Sequence, residues 1–174
     1  NMPSPSALSL NRVTGSTPTN ISGKLNSNGS VFLINPNGIV ISKTGVINTN
    51  SFTASSLNLK NEDFLNNNFK FKAEPKSRNI ENKGEITVNS KGNIALLGRQ
   101  VVNSGIVKAK LGKIAVGAGD SVTLNFTKNK MMNIIIPSQD LDKISDIHGR
   151  TLRYLISNEG EIRAQGGIIE LSAL

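Results

Sequence analysis

The chain has 174 residues and a mass of 18.6 kDa, which is enough for one domain with a sizeable hydrophobic core. It contains no Cys, so disulfides, thiolate metal sites and thiol catalysis are excluded. Its 20 Lys and Arg residues and 12 Asp and Glu residues give a net charge of +8. This charge either favours an anionic partner, such as nucleic acid, lipopolysaccharide or an acidic protein surface, or simply keeps the domain soluble.

A turn between two apolar segments is the strongest local signal in the first third of the chain. Residues 31–34 and 39–41 flank the sequence Asn35-Pro36-Asn37-Gly38. Pro36 fixes φ at the first central position of a turn, Asn37 tolerates the second, and Gly38 leads the chain into the next segment. The Asn35 side chain can accept a backbone hydrogen bond in an Asx turn. These residues predict two strands joined by a structural corner.

A polar excursion is predicted at residues 61–78. Within it, residues 69–72 have the sequence Phe-Lys-Phe-Lys, and Lys76 and Arg78 follow closely. Aromatic rings between cations can stack on nucleic-acid bases, but the same alternation forms an edge strand with Phe inward and Lys outward. We interpret the segment as an edge strand and expect no nucleic-acid partner.

Two short patterns recur in the second half of the chain. An Asn-x-Gly pattern followed by alternating apolar residues begins at Asn82, Asn103 and Asn158, and an apolar segment led by glycine follows each of them at Gly92, Gly112 and Gly167. Because the order is the same each time, the two patterns belong to one repeat unit.

The spacing of the glycines indicates a unit of about 20 residues. Gly92 and Gly112 lie 20 residues apart, Gly29 precedes Gly92 by 63, or three periods, and Gly45 precedes Gly84 by 39, close to two. Such a unit holds two or three short strands. It is too short to bury a face alone, so it must stack on its neighbours.

The architecture predicted from these units is an all-β parallel β-helix. Apolar residues at alternate positions, such as Ile86 and Val88 or Ile94 and Leu96, point into a continuous interior, and Gly and Asn at the corners supply positive φ angles. An antiparallel sandwich fits less well because the repeat recurs in the same order. A leucine-rich horseshoe fits less well because the Leu-x-x-Leu-x-Leu pattern is missing.

A second and longer excursion is predicted at residues 120–157. Gly112 and Gly167 lie 55 residues apart, which is about 35 more than one repeat. We expect a β-hairpin or a small extra sheet on the flank of the solenoid, and a short helix at residues 139–147 with Ser138 as its cap. Without both excursions the chain has room for about six to seven coils.

The sequence offers few residues for catalysis. His148 is its one histidine, so a His-dependent triad and a multi-His metal site are excluded. Carboxylate pairs at residues 62–63 and at residues 140 and 142 lie in polar loops, whereas a glycosidase pair or a calcium site, as in a polysaccharide-active β-helix enzyme, needs carboxylates that converge on one sheet face. We predict no enzymatic activity, no cofactor and no metal site. The repeat strands are instead predicted to point their cations outward: Lys108, Lys110, Lys113 and Arg163.

Three segments resemble the secretion domain of two-partner secretion exoproteins. They are Asn11-Arg12-Val13-Thr14-Gly15, residues 29–41 with Asn35-Pro36-Asn37-Gly38-Ile39 at their centre, and Ile47-Asn48-Thr49-Asn50-Ser51-Phe52-Thr53-Ala54-Ser55. That family comprises filamentous haemagglutinin-like adhesins, haemolysins and contact-dependent inhibition toxins. The similarity is greatest to the high-molecular-weight adhesin branch, and through the Asn-x-Gly repeats it extends over nearly the whole chain.

The resemblance implies a right-handed parallel β-helix with β-hairpin or sheet insertions outside the helix, at the N-terminus of a very large secreted protein. The family domain normally begins with further strands, an N-terminal cap and often an Asn-Pro-Asn-Leu motif, which we do not find before Asn1-Met2-Pro3. We therefore expect residues 1–174 to form a single secretion domain without its N-terminal cap, and an upstream segment to have been removed.

The resemblance also implies a partner and a set of functional residues. The partner is a dedicated outer-membrane transporter, whose POTRA domains bind the domain in the periplasm by β-augmentation. Asn11 and Arg12 are weaker recognition candidates than the corner. The resemblance implies that the corner residues first have a structural role, because they fix the turn, and that secretion requires them through this role. They are Asn35, Pro36, Asn37, Gly38 and Ile39.

The predicted function is the export and folding nucleation of a large adhesin or haemagglutinin, which is secreted through the periplasm to the bacterial surface or beyond. No apolar run reaches the roughly 18–20 residues of a transmembrane segment. The alternative function is direct binding of an anionic glycan or a host protein by a basic face, and the full-length protein has a host-cell receptor or glycan as a further expected partner.

Overall fold

The structure is a computed structural model that describes residues 2–126, 132–136 and 155–173. These residues form many short strands and one short helix, α1 (Asn61–Leu65). The strands, in chain order, are β1 (Leu8–Arg12), β2 (Thr19–Ile21), β3 (Lys24–Asn26), β4 (Ser30–Ile34), β5 (Ile39–Ile41), β6 (Val46–Thr49), β7 (Ser51–Ser55), β8 (Asn58–Leu59), β9 (Phe69–Lys72), β10 (Ile80–Asn82), β11 (Glu85–Val88), β12 (Asn93–Gly98), β13 (Val101–Asn103), β14 (Ile106–Ala109), β15 (Lys113–Ala118), β16 (Ser121–Phe126), β17 (Met132–Ile135), β18 (Ile156–Asn158), β19 (Glu161–Arg163) and β20 (Ile168–Ala173).

Three parallel sheets wind the chain into a solenoid. Sheet A has the strand order β1-β4-β7-β12-β15-β20, sheet B the order β2-β5-β10-β13-β18, and sheet C the order β3-β6-β11-β14-β19. Each coil passes through sheets A, B and C in turn, and each strand pairs in parallel with the equivalent strand of the next coil. The predicted parallel β-helix is therefore confirmed. The antiparallel sandwich and the leucine-rich horseshoe are wrong for this chain.

The described residues contain five complete coils and the first strand of a sixth, which is fewer than the predicted number of about six to seven. Phe52 of β7 pairs directly with Ile94 of β12, although 42 residues separate them in the sequence. Gly29 and Gly92 are therefore two coils apart and not three. The prediction was wrong because the first excursion adds about one repeat length of chain.

The interior of the solenoid is the main hydrophobic core. Ile86, Val88, Ile94 and Leu96 all belong to it, as their alternation in the sequence predicted. Their rows are continuous from coil to coil: Ile86, for example, pairs with Val107 of the next coil. Burying side chains of this size stabilises the fold by roughly 1.5–3 kcal/mol each.

A fourth sheet, sheet D, is antiparallel and packs on the outer face of sheet A. Its strand order is β17-β16-β9-β8, so it combines strands from both excursions. The extra-helical sheet that the sequence predicted is confirmed. A second hydrophobic core lies between sheets A and D and includes Phe32, Ile34, Leu97, Phe71 and Leu124.

The inner strands of sheet A, such as β4 and β15, are buried on both faces, and this explains their sequence. All residues of β4 and β15 are buried, whereas strands of sheets B and C, such as β13 and β14, alternate between buried and partly exposed positions. A strand that is covered on both sides needs a nearly continuous apolar run. The continuous apolar runs in these strands therefore indicate, in the sequence, that a second layer covers the outer face of sheet A.

The Phe-Lys-Phe-Lys segment forms β9. Phe69 and Phe71 point into the second core, while Lys70 and Lys72 are exposed, as predicted. However, β9 lies between β8 and β16 within sheet D, so it is an internal strand and the prediction of an edge strand was wrong. An internal strand results because the second excursion supplies a pairing partner that lies about 50 residues downstream in the chain.

The corner glycines owe their presence to close stacking and not to an unusual backbone. Among the described glycines, only Gly38, Gly119 and Gly166 have positive φ. At the start of β14, a Cβ on Gly105 would lie 2.2 Å from the carbonyl oxygen of Gly84 in the preceding coil. The expectation of positive φ at the repeat corners is therefore wrong at most positions, because the requirement there is room for the neighbouring backbone.

The helical content is low. The helix α1 has five residues, and none of the described helices is long and apolar enough to cross a membrane. The helix predicted at residues 139–147, its cap Ser138 and the residue His148 lie outside the described residues. The predicted domain boundaries and the missing N-terminal cap stay predictions.

Candidate functional site

Asn35 follows the last residue of β4, and its side chain is completely buried. Its Nδ2 donates hydrogen bonds to the carbonyl oxygen of Thr17 at 3.0 Å and to Oγ1 of Thr19 at 2.9 Å, both in the first coil. Its Oδ1 accepts a hydrogen bond from the backbone N–H of Asn37 at 3.0 Å, which is the predicted Asx turn. The Asn35 side chain therefore shapes the corner and also holds the second coil on the first.

Asn37 is a second buried amide in the same corner, with 7% of its surface exposed. Its Nδ2 donates to the carbonyl oxygen of Gly15 at 2.8 Å and to Oδ1 of Asn35 at 3.1 Å. The turn is closed by the backbone N–H of Gly38, which donates to the carbonyl oxygen of Asn35 at 3.0 Å. Since these polar groups have partners, their burial carries no large desolvation penalty.

The third coil covers the other side of the corner. The backbone N–H of Arg78 donates to the carbonyl oxygen of Pro36 at 2.9 Å. The backbone N–H of Ile39 donates to the carbonyl oxygen of Asn79 at 3.3 Å. Gly38 has a φ of 104°, a conformation that only glycine adopts easily. Ile39 starts β5 and is fully buried in the main core.

The corner of residues 35–39 is therefore enclosed by the first coil on one side and the third coil on the other. In the folded domain, a partner protein cannot reach the amides of Asn35 and Asn37. Sequence reasoning missed the residues that hold them, which are Gly15, Thr17 and Thr19. The signal was present, because these residues precede the corner by about one 20-residue coil and so must stack on it.

Asn11 lies in β1 opposite Leu33, at a position that faces the interior of the solenoid. Its Nδ2 donates to Oγ of Ser9 at 2.8 Å and to the carbonyl oxygen of Phe32 at 3.3 Å. Ser9 likewise lies opposite an inward-facing apolar residue, Val31. The first coil therefore places polar side chains over the N-terminal end of the core, where the second coil has apolar ones.

Arg12 connects the first coil to the first excursion. Its guanidinium group donates hydrogen bonds to Oδ1 of Asn58, to the carbonyl oxygen of Leu59 and, at 3.0 Å, to Oδ1 of Asn61. Asn58 in turn donates to Oε1 of Glu74 at 2.6 Å, near the end of the same excursion. None of the hydrogen bonds described for Asn11 or Arg12 reaches the corner of residues 35–39, so the structure separates the weaker candidates from the stronger ones.

The cations predicted to point outward have different environments. Lys108 lies 3.2 Å from Glu85, and Arg163 lies 2.6 Å from Glu161, while Lys110 is exposed. For Lys113 the prediction was wrong. Its side chain is only 8% exposed, because sheet D covers this face of sheet A. The ammonium group of Lys113 lies 2.5 Å from Oε2 of Glu170 and 3.1 Å from Oδ1 of Asn133.

The carboxylates do not converge in the part of the chain that the structure describes. Glu62 and Asp63 lie in the first turn of α1, where Asp63 accepts a hydrogen bond from Asn68 at 2.8 Å. No group of three His, Cys, Asp or Glu residues that could hold a metal ion is found in residues 2–126, 132–136 and 155–173. The second carboxylate pair, at residues 140 and 142, lies outside these ranges.

The family model of the TPS secretion domain matches residues 1–172 of the chain. The chain belongs to this family. TPS domains are parts of two-partner secretion exoproteins, which are secreted through the outer membrane and have an outer-membrane transporter as their partner. The family consists of secretion domains and is not a family of enzymes. The resemblance found in the sequence is thereby confirmed.

Known proteins of Haemophilus influenzae are similar to this TPS domain. It is 35% identical to the HMW1 secretion domain, whose crystal structure superposes with a TM-score of 0.81 over 98% of this chain and 43% of that chain. It is 29% identical over 178 residues to a heme/hemopexin-binding protein of strain Rd, covering 98% of this chain and 18% of the relative. A further heme/hemopexin-binding protein is 34% identical over 82 residues, which is 47% of this chain and 9% of the relative. The chain thus spans less than a fifth of the length of these curated relatives.

Proposed function

We propose that this TPS domain is bound in the periplasm by the POTRA domains of its outer-membrane transporter, and that it then starts the folding of a large adhesin or haemagglutinin outside the cell. The observation that carries the proposal is the match to the TPS secretion domain over residues 1–172. The likeness to the HMW1 secretion domain over 98% of the chain supports it.

The burial of the corner supports recognition of a chain that has not yet folded. The amides of Asn35 and Asn37 are enclosed by the first and third coils, so a transporter can read them only before these coils stack. The extended strands on either side, β4 and β5, have free backbone N–H and C=O groups in the unfolded chain. Such a segment can add as a strand to the edge of a sheet in a POTRA domain.

The inward-facing residues of the first and last described strands support a role in folding nucleation. Ser9 and Asn11 of β1 are polar, whereas Ile169 and Leu171 of β20 continue the apolar rows of Ile114 and Val116. An apolar row of this kind can template a further coil, since each coil of a solenoid needs only its neighbour. Folding would thus proceed in one direction, away from the TPS domain.

Secretion of the full exoprotein by cells that carry the transporter tests the proposal. We expect Asn35→Ala and Asn37→Ala to reduce the amount of passenger in the medium several-fold, because each removes hydrogen bonds worth about 1–3 kcal/mol in a buried site. Asn48→Ala is the matched control, since this asparagine is exposed on β6. Normal secretion and unchanged stability of both corner variants would remove these residues from the proposed site.

A peptide of residues 28–42 separates direct recognition from a structural role. If the transporter reads the amides, the peptide binds to its purified periplasmic region and loses affinity when Asn35 and Asn37 are replaced by Ala. If the corner acts only through folding, the two peptides bind equally although secretion of the full variants is reduced. Failure of both the peptide and the unfolded domain to bind the periplasmic region would contradict POTRA recognition itself.

A further inference from the structure

An open groove of about 740 Å³ lies between the outer face of sheet A and the inner face of sheet D. Ser30, Ser51 and Thr53 of sheet A form its floor, and Phe69 and Phe126 of sheet D form part of its wall. Its volume lies in the range of roughly 300–1,000 Å³ that is typical of small-molecule sites. The corner of residues 35–39 contributes none of the described lining residues of the groove.

Two largely buried residues in the floor present hydroxyl groups that are open to the groove. Ser30 is 8% exposed and Thr53 is 5% exposed, and both face outward from sheet A into the groove. Neither hydroxyl makes a hydrogen bond to any described residue, whereas Oγ of the neighbouring Ser51 accepts one from the backbone N–H of Asn93 at 3.0 Å. Since neither hydroxyl is committed to a described residue, both are free to exchange hydrogen bonds with a molecule that enters the groove.

The wall of the groove offers an aromatic surface. Phe32 and Phe69 stack with their centroids 5.3 Å apart, and the ring of Phe126 meets that of Phe69 edge-on at the same distance. Phe32 and Phe69 are buried, but Phe126 is 42% exposed at the mouth. A ring in this position can pack against the apolar face of a ligand that enters the groove.

The polar groups of the groove are nearly all neutral. Lys91 is the one charged residue among the described residues that line it, and it is exposed at the rim. Among the described lining residues an anion meets only this single cation, and a purely apolar ligand would leave the hydroxyls of Ser30 and Thr53 unpaired at a cost. A saccharide satisfies both requirements, because its hydroxyls both donate and accept while its C–H face is apolar.

We propose that the groove binds one residue of a neutral saccharide. Its hydroxyls exchange hydrogen bonds with Ser30 and Thr53, and its C–H face packs on Phe126. This site differs from a basic glycan-binding face, since its recognition rests on neutral hydroxyls and an aromatic ring and is insensitive to salt. Binding at this site does not involve the transporter, so a test of saccharide binding is independent of a test of the export function.

Saturation-transfer NMR and titration of the 174-residue chain with four probes test this proposal. The probes are the methyl glycosides of glucose, galactose, mannose and N-acetylglucosamine. We expect saturable binding of at least one of them, weakened about three- to tenfold by Ser30→Ala and by Thr53→Val. Thr53→Val replaces an unpaired hydroxyl with a methyl group, so the variant should keep or raise its melting temperature while it loses affinity.

Matched variants outside the groove are the controls. Thr87→Val on sheet C and Ile135→Ala, which is exposed on β17, should leave the affinity unchanged, whereas Phe126→Ala should reduce it about tenfold or more. The proposal is overturned if no probe binds saturably at millimolar concentration, or if binding is the same in Thr53→Val. It is also overturned if a hydrophobic dye occupies the groove and no saccharide displaces it.

Discussion

Buried amides hold the turn that the sequence singled out. The sequence predicted the Asx turn of Asn35, and the structure contains it. The sequence did not predict that the Nδ2 groups of Asn35 and Asn37 reach back to the first coil at Gly15, Thr17 and Thr19. An Asx turn is a local feature and follows from local residues, whereas the partners of the Nδ2 groups depend on which coil lies next to the turn.

Asn37→Ala in the isolated domain tests the structural part of this role. We expect the free energy of unfolding to fall by about 1–3 kcal/mol, because the buried Oδ1 of Asn35 and the carbonyl oxygen of Gly15 both lose a donor. Chemical denaturation followed by circular dichroism measures this change, and Asn48→Ala should change it by less than about 0.5 kcal/mol. Equal stability of the two variants would show that the corner amide is not a structural contact.

Arg12 makes a second prediction at this scale. Arg12→Lys keeps the charge but cannot reach Asn58, Leu59 and Asn61 with one planar fork of donors, so it should lower the free energy of unfolding by about 1–2 kcal/mol. Hydrogen exchange should then increase mainly at residues 58–72. The control is Arg163→Lys on the exposed face of β19. Uniformly faster exchange, or none, would contradict the proposed link to the first excursion.

At the scale of elements, the glycines at the start of the sheet C strands form a ladder. Hypothetical Cβ atoms at Gly45, Gly84, Gly105 and Gly160 would each lie 2.1–2.3 Å from a carbonyl oxygen of the preceding coil. Real Cβ atoms do not approach backbone this closely, so any side chain would force adjacent coils apart. The sequence showed where the glycines recur, and only the stacked strands showed which physical requirement they meet.

Gly105→Ala is the sharpest test of the ladder. We expect a loss of at least about 3 kcal/mol in the free energy of unfolding, or failure to fold, because backbone on both sides of the clash is held in sheets. Gly23 occupies the equivalent corner of the first coil, where a Cβ would meet nothing within 4 Å. Gly23→Ala should therefore be neutral or slightly stabilising. A similar loss in both variants would show that backbone freedom, and not stacking, explains these glycines.

At the scale of the whole molecule, the two excursions complete a layer that neither forms alone. Strand β9 comes from the first excursion, β8 directly precedes that excursion, and β16 and β17 come from the second. Together they cover Phe32 and Ile34 on the outer face of sheet A. The coils can stack in order as the chain emerges, but the second core closes only after residue 135. We therefore expect folding of the domain to be sequential in its solenoid and non-local in its covering sheet.

Two truncated chains test this order. A chain of residues 1–119 lacks β16 and β17, so its outer apolar face should bind a hydrophobic dye and it should unfold at a clearly lower denaturant concentration. A chain of residues 1–136 retains the hairpin and should show weak dye binding, although it also lacks β18 to β20. If the two chains behave alike, sheet D does not stabilise the solenoid in the proposed way.

The sequence by itself determined the repeating coil, the inward rows such as Ile86 and Val88, and the Asn35–Gly38 turn, because each depends on residues within one coil or on their alternation. The tertiary structure decided the number of coils, the burial of Lys113 and the internal position of β9. An excursion that is as long as one repeat cannot be distinguished from a coil by spacing, so the predicted number of coils was too high. Pairing between strands about 50 residues apart does not change the local periodicity of the sequence. Contacts between residues so far apart in the sequence form only when the chain packs. The sequence repeat therefore could not predict them.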